Sequence, residues 1–135
     1  ITGFCTETES DHQKTLSLMK YVKYNFGYMF KYSERPNTLA QRKYVDNVDE
    51  KIKSNRLSEI INLQQKHSLY RNQQNIGSIK EVLVEGISKK STEHLFGRTT
   101  QNTVVVFPKK NIRPGDLINV KINNCTSATL LGNII

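Results

Sequence analysis

Apolar residues change their rhythm partway along this chain. From Ile79 onward they come in short runs. Val82 and Val84 fall on one face of an alternating segment, with Ile79, Leu83 and Ile87 on the other. A continuous run, Val104 to Phe107, follows, and then two closing runs, Leu117 to Ile122 and Ala128 to Ile135. About five strands of this length, with turn signals every 8–12 residues or so, predict a small closed or nearly closed β-barrel. Closure is how so few strands avoid unpaired edges. Arg113-Pro114-Gly115-Asp116 is a strong turn signal, because Pro presets φ and Gly accepts positive φ.

Upstream the rhythm is helical. Thr8 with Asp11 three residues on forms a weak capping box. His12, Leu16, Met19 and Val22 then recur at spacings of three and four, and Asn25 is a plausible stop. Ile1 to Phe4 reads as the end of a buried strand, and Phe26 to Tyr32 as a second strand, which together predict a parallel βαβ unit. A single such unit cannot cover both faces of its sheet, so further neighbours are expected. Asp49 opens a long helix to about Asn75, with Ile52, Leu57, Ile60, Leu63 and Tyr70 on its apolar face and Lys51, Asn55, Asn62 and Lys66 opposite. Gly77 is placed to end it. This helix is read as a connector between domains, with Arg56 and Arg71 available to a partner.

Charge sharpens the picture. The formal net charge is +8 over 135 residues. Residues 78–135 hold eight Lys and Arg against four Asp and Glu, and residues 1–77 hold twelve against eight. In the strand-rich part the excess sits mostly in turns: Lys89, Lys90, Arg98, Lys109, Lys110 and Arg113. A basic surface displayed on turns suits a phosphate-rich partner, although lysines also serve simply to solvate. No apolar run approaches the roughly 18 residues needed to cross a bilayer. The chain opens on Ile1, not Met, and is expected to be cut from a longer polypeptide. Cys5 and Cys125 share no metal or redox spacing and read as free cytosolic thiols. His12, His67 and His94 are scattered without ligand spacing.

Two places carry candidate chemistry. The links that follow the two upstream strands leave at the same end, the end that bears the chemistry in α/β barrels. Glu7 and Arg35 are therefore candidates for ligand contact, with helix-dipole stabilisation and plain solvation as the alternative roles. Leu95 to Asn102 is the most informative stretch. Gly97 inside a strand permits close backbone approach, and Arg98, two Thr, Gln101 and Asn102 offer hydrogen bonds to phosphate, sugar and base edges. A polar hairpin turn would use some of these residues too. No Gly-rich phosphate loop, nucleophile–His arrangement or CxxxCxxC motif is present, and this segment alone is expected to be inactive as an enzyme.

Several segments, in order along the whole chain, resemble one family, the radical-SAM methylthiotransferases of the MiaB and RimO type. Gly3-Phe4-Cys5-Thr6-Glu7-Thr8 is similar to the family's G-F-P-G-E-T segment, and Tyr32 to Ala40 to its Y-S-x-R-P-G-T-x-A segment. Val84-Glu85-Gly86, Gly97-Arg98-Thr99, Asn102 and Val106-Phe107 are similar to the signature of the TRAM domain, the family's RNA-binding barrel. Cys5 and Thr6 stand where the family has Pro and Gly, and Asn37 where it has Gly; Asn tolerates a left-handed backbone nearly as well.

The resemblance implies an α+β organisation in three parts: the end of a radical-SAM α/β barrel (a remnant βαβ) over 1–47, a connecting helix over 48–77, and a small five-stranded antiparallel, OB-like TRAM barrel over 78–135. It implies two [4Fe-4S] clusters and S-adenosylmethionine in the full-length protein, none of them bound by this segment alone. Gly3, Glu7 and Arg35 would line the cofactor site. Lys89, Lys90, Arg98, Thr99, Asn102, Lys109 and Lys110 would contact RNA. Arg35-Pro36 is similar to the tRNA-modifying MiaB branch, which implies methylthio transfer to N6-isopentenyladenosine beside the anticodon, with the barrel gripping the anticodon arm. The alternatives are a tRNA enzyme acting on threonylcarbamoyl-adenosine, or a protein-docking module of a ribosomal-protein methylthiotransferase. The expected setting is a cytoplasmic monomer, bound to the rest of its own polypeptide upstream and to no membrane.

Overall fold

The computed structural model describes residues 1–135. They divide into two compact units, Ile1–His67 and Ser68–Ile135.

In the first unit, helix α1 (Glu9–Val22) starts at the expected cap. Thr8 Oγ1 accepts from the Asp11 N–H, and the Asp11 carboxylate accepts in return from the Thr8 N–H at 3.1 Å and the Thr8 hydroxyl at 2.6 Å. Lys23, in a left-handed conformation, ends the helix. His12, Leu16 and Met19 form its buried face, as their spacing predicts. A short helix, α2 (Leu39–Lys43), follows, capped by Thr38. The long helix α3 runs over Glu50–Gln73.

Two expectations for this region are met only in part. The predicted parallel βαβ unit is reduced to a minimum. Of its two strands only one parallel bridge exists, between Thr2 and Lys31, closed by bonds from Thr2 N–H to Phe30 O (2.9 Å) and from Tyr32 N–H to Thr2 O (2.7 Å). Two strands without further partners hold little structure by themselves, and Phe26, Tyr28 and Phe30 stay exposed. The buried stripe of α3 is mixed. Ile60 is buried and Leu57 and Leu63 are half-buried, with Lys51, Asn55, Asn62 and Lys66 exposed as expected, but Ile52 and Tyr70 are exposed, and Lys53, Arg56 and Gln64 are buried beside the apolar residues. Their polar heads find partners within the unit: Lys53 Nζ at Asp46 (2.5 Å), Arg56 at Glu7 (2.9 Å) and Gln64 at the Tyr24 carbonyl (2.8 Å). These partners let the polar side chains share the inward side with Ile60, Leu57 and Leu63.

The second unit is the barrel. Strands β1 (Ile79–Ile87), β2 (His94–Thr99), β3 (Val104–Pro108), β4 (Leu117–Cys125) and β5 (Leu130–Ile134) close in the order β1-β2-β3-β5-β4. Four of the five pairings are antiparallel, and β3 with β5 is parallel, Val105 facing Leu130. The all-antiparallel barrel expected from the sequence cannot close with five strands, because directions cannot alternate around an odd ring. One parallel pair is the geometric consequence of closure.

Side-chain alternation sends Val82, Val84, Leu95, Val105, Phe107, Val120, Ile122 and Leu130 inward, each no more than 3% exposed. Burying each such side chain is worth about 1.5–3 kcal/mol relative to exposure. Gly97 and Gly132 also face inward, and a Cβ on either would come within 2.2 Å of the Leu83 carbonyl oxygen or 2.4 Å of the Lys121 carbonyl oxygen. These two positions let adjacent strands approach closely enough for a small barrel to bend shut. Before the barrel, Asn72 donates from Nδ2 to the Thr126 carbonyl (2.9 Å), and Gly77, at φ 86°, donates its N–H to Ile122 O (2.8 Å).

Candidate nucleic-acid interface

The informative stretch Leu95 to Asn102 becomes β2 and its turn into β3. Period two decides the roles of its residues: Leu95, Gly97 and Thr99 point in, while Phe96 and Arg98 point out. Thr99 is buried, and its Oγ1 accepts from the Gln101 N–H (3.3 Å) and the Thr103 N–H (3.2 Å). The structure thus uses Thr99 to hold the turn and gives it no place on the outer surface. Asn102 sits at φ 62°, and its Oδ1 accepts from Arg98 Nη1 at 2.9 Å. Glu85 on β1 takes Arg98 Nε at 3.2 Å. Two partners therefore orient the guanidinium across the outer face, while its side chain keeps 41% exposure.

That outer face carries a concavity of about 730 Å³. Its floor is apolar, made by Phe96 of β2, Val104 and Val106 of β3 and Leu131 of β5. Lys89 and Lys90, from the β1–β2 connection, and Arg98 stand on its rim with Ser and Thr hydroxyls. The structure therefore gathers three of the predicted RNA-binding cations around one groove. Lys109 and Lys110 lie outside it, in the β3–β4 connection, although the Lys109 N–H bonds to Glu93 O (2.8 Å) and so joins the two basic connections at one end of the barrel. A groove with cations on its rim and an aromatic ring on its floor is equipped to take phosphates at the edge and a base face in the middle. Phe96 is the groove-lining residue that sequence reasoning missed, although alternation about the inward Leu95 and Gly97 already marks it as an outward ring beside Arg98.

In the first unit the proposed cofactor residues separate. Gly3, at φ 73°, donates its N–H to Glu7 Oε2 at 2.5 Å. The same carboxylate accepts from Arg56 Nη1 at 2.9 Å, with side chains 8% and 15% exposed for Arg56 and Glu7. Arg56 also bonds to the Glu7 carbonyl at 3.1 Å. Gly3 and Glu7 are thus one buried, mutually satisfied cluster, and its cation is Arg56, which the sequence places on a surface open to partners. Arg35 is exposed, in the loop before α2, and its carbonyl accepts from the Thr38 hydroxyl at 2.9 Å. Nearby, burial first and then the Cys5 thiol push the Tyr32 phenol above its ordinary pKa. No three His, Cys, Asp or Glu side chains converge where they could hold a metal ion. These residues therefore do not fit an iron–sulfur cluster, and the polar atoms of Gly3 and Glu7 are largely spent on each other and on Arg56. No helix is long and apolar enough to cross a membrane.

A five-stranded barrel with a basic-rimmed, aromatic-floored outer groove defines an OB-like nucleic-acid-binding module. Residues 73–135 match the TRAM domain family, and this part of the chain is a TRAM domain. Over its whole length the chain is similar to tRNA-2-methylthio-N(6)-dimethylallyladenosine synthases, of the MiaB type. It is 60% identical to the enzyme of that name from Karelsulcia muelleri over 99% of this chain, and 59% identical to that from Flavobacterium psychrophilum over 100%. It is 53% identical to the one from Bacteroides thetaiotaomicron over 97%. The chain spans 30%, 28% and 29% of those relatives' lengths. The resemblance to these synthases runs along the whole of this chain.

Proposed function

We propose that this chain is the part of a tRNA methylthiotransferase that grips the anticodon arm through the outer groove of its TRAM barrel. The observation that carries the reading is the convergence of Lys89, Lys90 and Arg98 on a groove floored by Phe96. The enzyme's substrate would be N6-isopentenyladenosine (dimethylallyladenosine) beside the anticodon, a reading supported by the relatives' names and favoured over threonylcarbamoyl-adenosine for that reason. S-adenosylmethionine and two [4Fe-4S] clusters would be held by parts of the protein beyond these residues. Arg35, exposed and without an ion pair, remains the candidate here for reaching that site, and Gly3 and Glu7 would shape it from behind. The barrel would supply affinity and register to a cytoplasmic, monomeric enzyme.

The test is anticodon stem-loop binding across a salt series. Lys89→Ala with Lys90→Ala should flatten the log–log salt slope by about 0.7–0.9 for each phosphate that is no longer neutralised. Lys109→Ala with Lys110→Ala should flatten it less. Arg98→Ala should weaken binding more than either single groove lysine change, because its fork is already oriented by Glu85 and Asn102. Unchanged slopes for all four lysines would overturn the reading. Mass spectrometry of tRNA from cells that depend on the full-length protein separates the two adenosine substrates.

A further inference from the structure

The basic groove does not stop at Leu131. A second concavity, about 260 Å³, adjoins it and shares His94, Val106 and Leu131 with it. Its far side is made by Asn123 of β4 and Asn133 of β5. Both side chains are exposed, and neither amide bonds to any protein group.

Their placement follows from an irregularity of β4. The β4–β5 register shifts between Ile122, opposite Gly132, and Asn124, opposite Leu131, so that Asn123 is the extra residue of a β-bulge. In a regular strand residue 124 would turn inward after Ile122. Here Asn123 and Asn124 both stay outside, and Cys125 packs against the core instead. Bulges re-aim side chains in this way. The two bulge asparagines are not equivalent. Asn124 Oδ1 is occupied by the Cys125 N–H at 2.8 Å, whereas the Asn123 amide is unclaimed. Asn133 stands on the same outer face of β5 as Leu131, two residues on.

We infer that this adjoining concavity reads the edge of an unpaired base whose ring lies on the apolar floor, and that the base is adenine. The inference rests on the RNA-binding reading of the groove and adds base discrimination to it. A carboxamide offers a donor beside an acceptor. That pair matches the N7 acceptor and N6 amino donor of adenine, and it matches poorly the two acceptors, N7 and O6, that guanine presents on the same edge. Single-stranded RNA exposes such edges when bases are splayed from their stack. Lysines on the rim cannot make this distinction, because they see only phosphate.

The experiment uses the full chain and two short single-stranded RNAs of equal length, one built on adenosine and one on 7-deazaadenosine. The analogue keeps charge and ring while replacing the N7 acceptor with C–H. The chain should bind the adenosine RNA about 2- to 10-fold more tightly, the range expected for removing one hydrogen bond. Asn123→Ala and Asn133→Ala should together abolish that difference, with salt slope and thermal unfolding unchanged. Equal affinity for the two RNAs, or a preference that survives both substitutions, overturns the inference and leaves groove binding intact. Failure to bind either RNA at low salt overturns the groove reading and this inference together.

Discussion

The two units are held together by different physics. The barrel interior contains eight apolar side chains almost completely removed from water, and its backbone polar groups are satisfied by strand ladders that close on themselves. The apolar cluster of the first unit is only Leu16, Met19 and Ile60, helped by Met29 and Leu63. Around it are buried Thr2, His12, Lys53, Arg56 and Gln64. A closed sheet satisfies its own backbone and can leave the interior to hydrocarbon. A unit with one β-bridge and irregular links needs side chains to answer its backbone, and charges come inside to do so. Depth of burial is therefore similar in kind, but what the burial is made of is opposite.

The largest break in this contrast should come from Phe107→Ala. Phe107 is fully buried at the centre of the barrel, and its truncation should cost about 3–5 kcal/mol. Native-state hydrogen exchange should show the destabilisation in β1–β5 amides while α1 protection stays as it was. Equal weakening of α1 would mean that the units do not unfold separately. Next comes Arg56→Ala. Removing one partner of a buried ion pair costs about 3–5 kcal/mol. The lower end is expected here, since Glu7 keeps 15% exposure and its bond from the Gly3 N–H. The weakening should appear in α1 and the links around it, and Arg56→Lys should recover only part of it because a single ammonium at Glu7 cannot also hold Glu9, which Arg56 Nη2 reaches at 3.3 Å. A barrel-like indifference to Arg56→Ala would refute the polar account of the first unit.

The smallest effect sharpens the contrast through pH. The Thr8 hydroxyl first, and then its backbone N–H, hold the Asp11 carboxyl below the ordinary aspartate range. A carboxylate depressed in the folded state contributes stability that is complete above its unfolded value of about 3.9, and loses it as pH falls through the lower folded value. Acidification below about pH 4 should thus fray the first turn of α1, seen as reduced helical circular dichroism, while the barrel ladders persist. Asp11→Asn should remove that part of the acid response. An acid profile identical in the variant would assign the fraying to other carboxylates.

Local and periodic information made much of the molecule legible beforehand. The capping box of α1 and its face of His12, Leu16 and Met19 were readable because a cap and a helical stripe involve residues three or four apart. The inward face of the first barrel strand was readable for the same reason, since period two assigns Val82 and Val84 to one side. The α3 stripe was legible in part: hydrophobicity marked Leu57, Ile60 and Leu63, whereas the burial of Arg56, Lys53 and Gln64 beside them depends on Glu7, Asp46 and the Tyr24 carbonyl. Phe26 to Tyr32 alternates like a strand, but alternation states only what a segment would do beside a partner.

What the 135 residues determined by themselves is therefore the two longer helices, the strand-rich character of the last third, the basic character of the turns and the resemblance of the barrel to the TRAM domain, because these depend on short-range order and composition. Tertiary structure alone decided that β3 and β5 run parallel, and that Lys89 and Lys90 meet Phe96 and Arg98 at one groove. Closing a ring of strands joins residues far apart in the chain, and its parity, bulges and close approaches are properties of the ring that no single strand possesses.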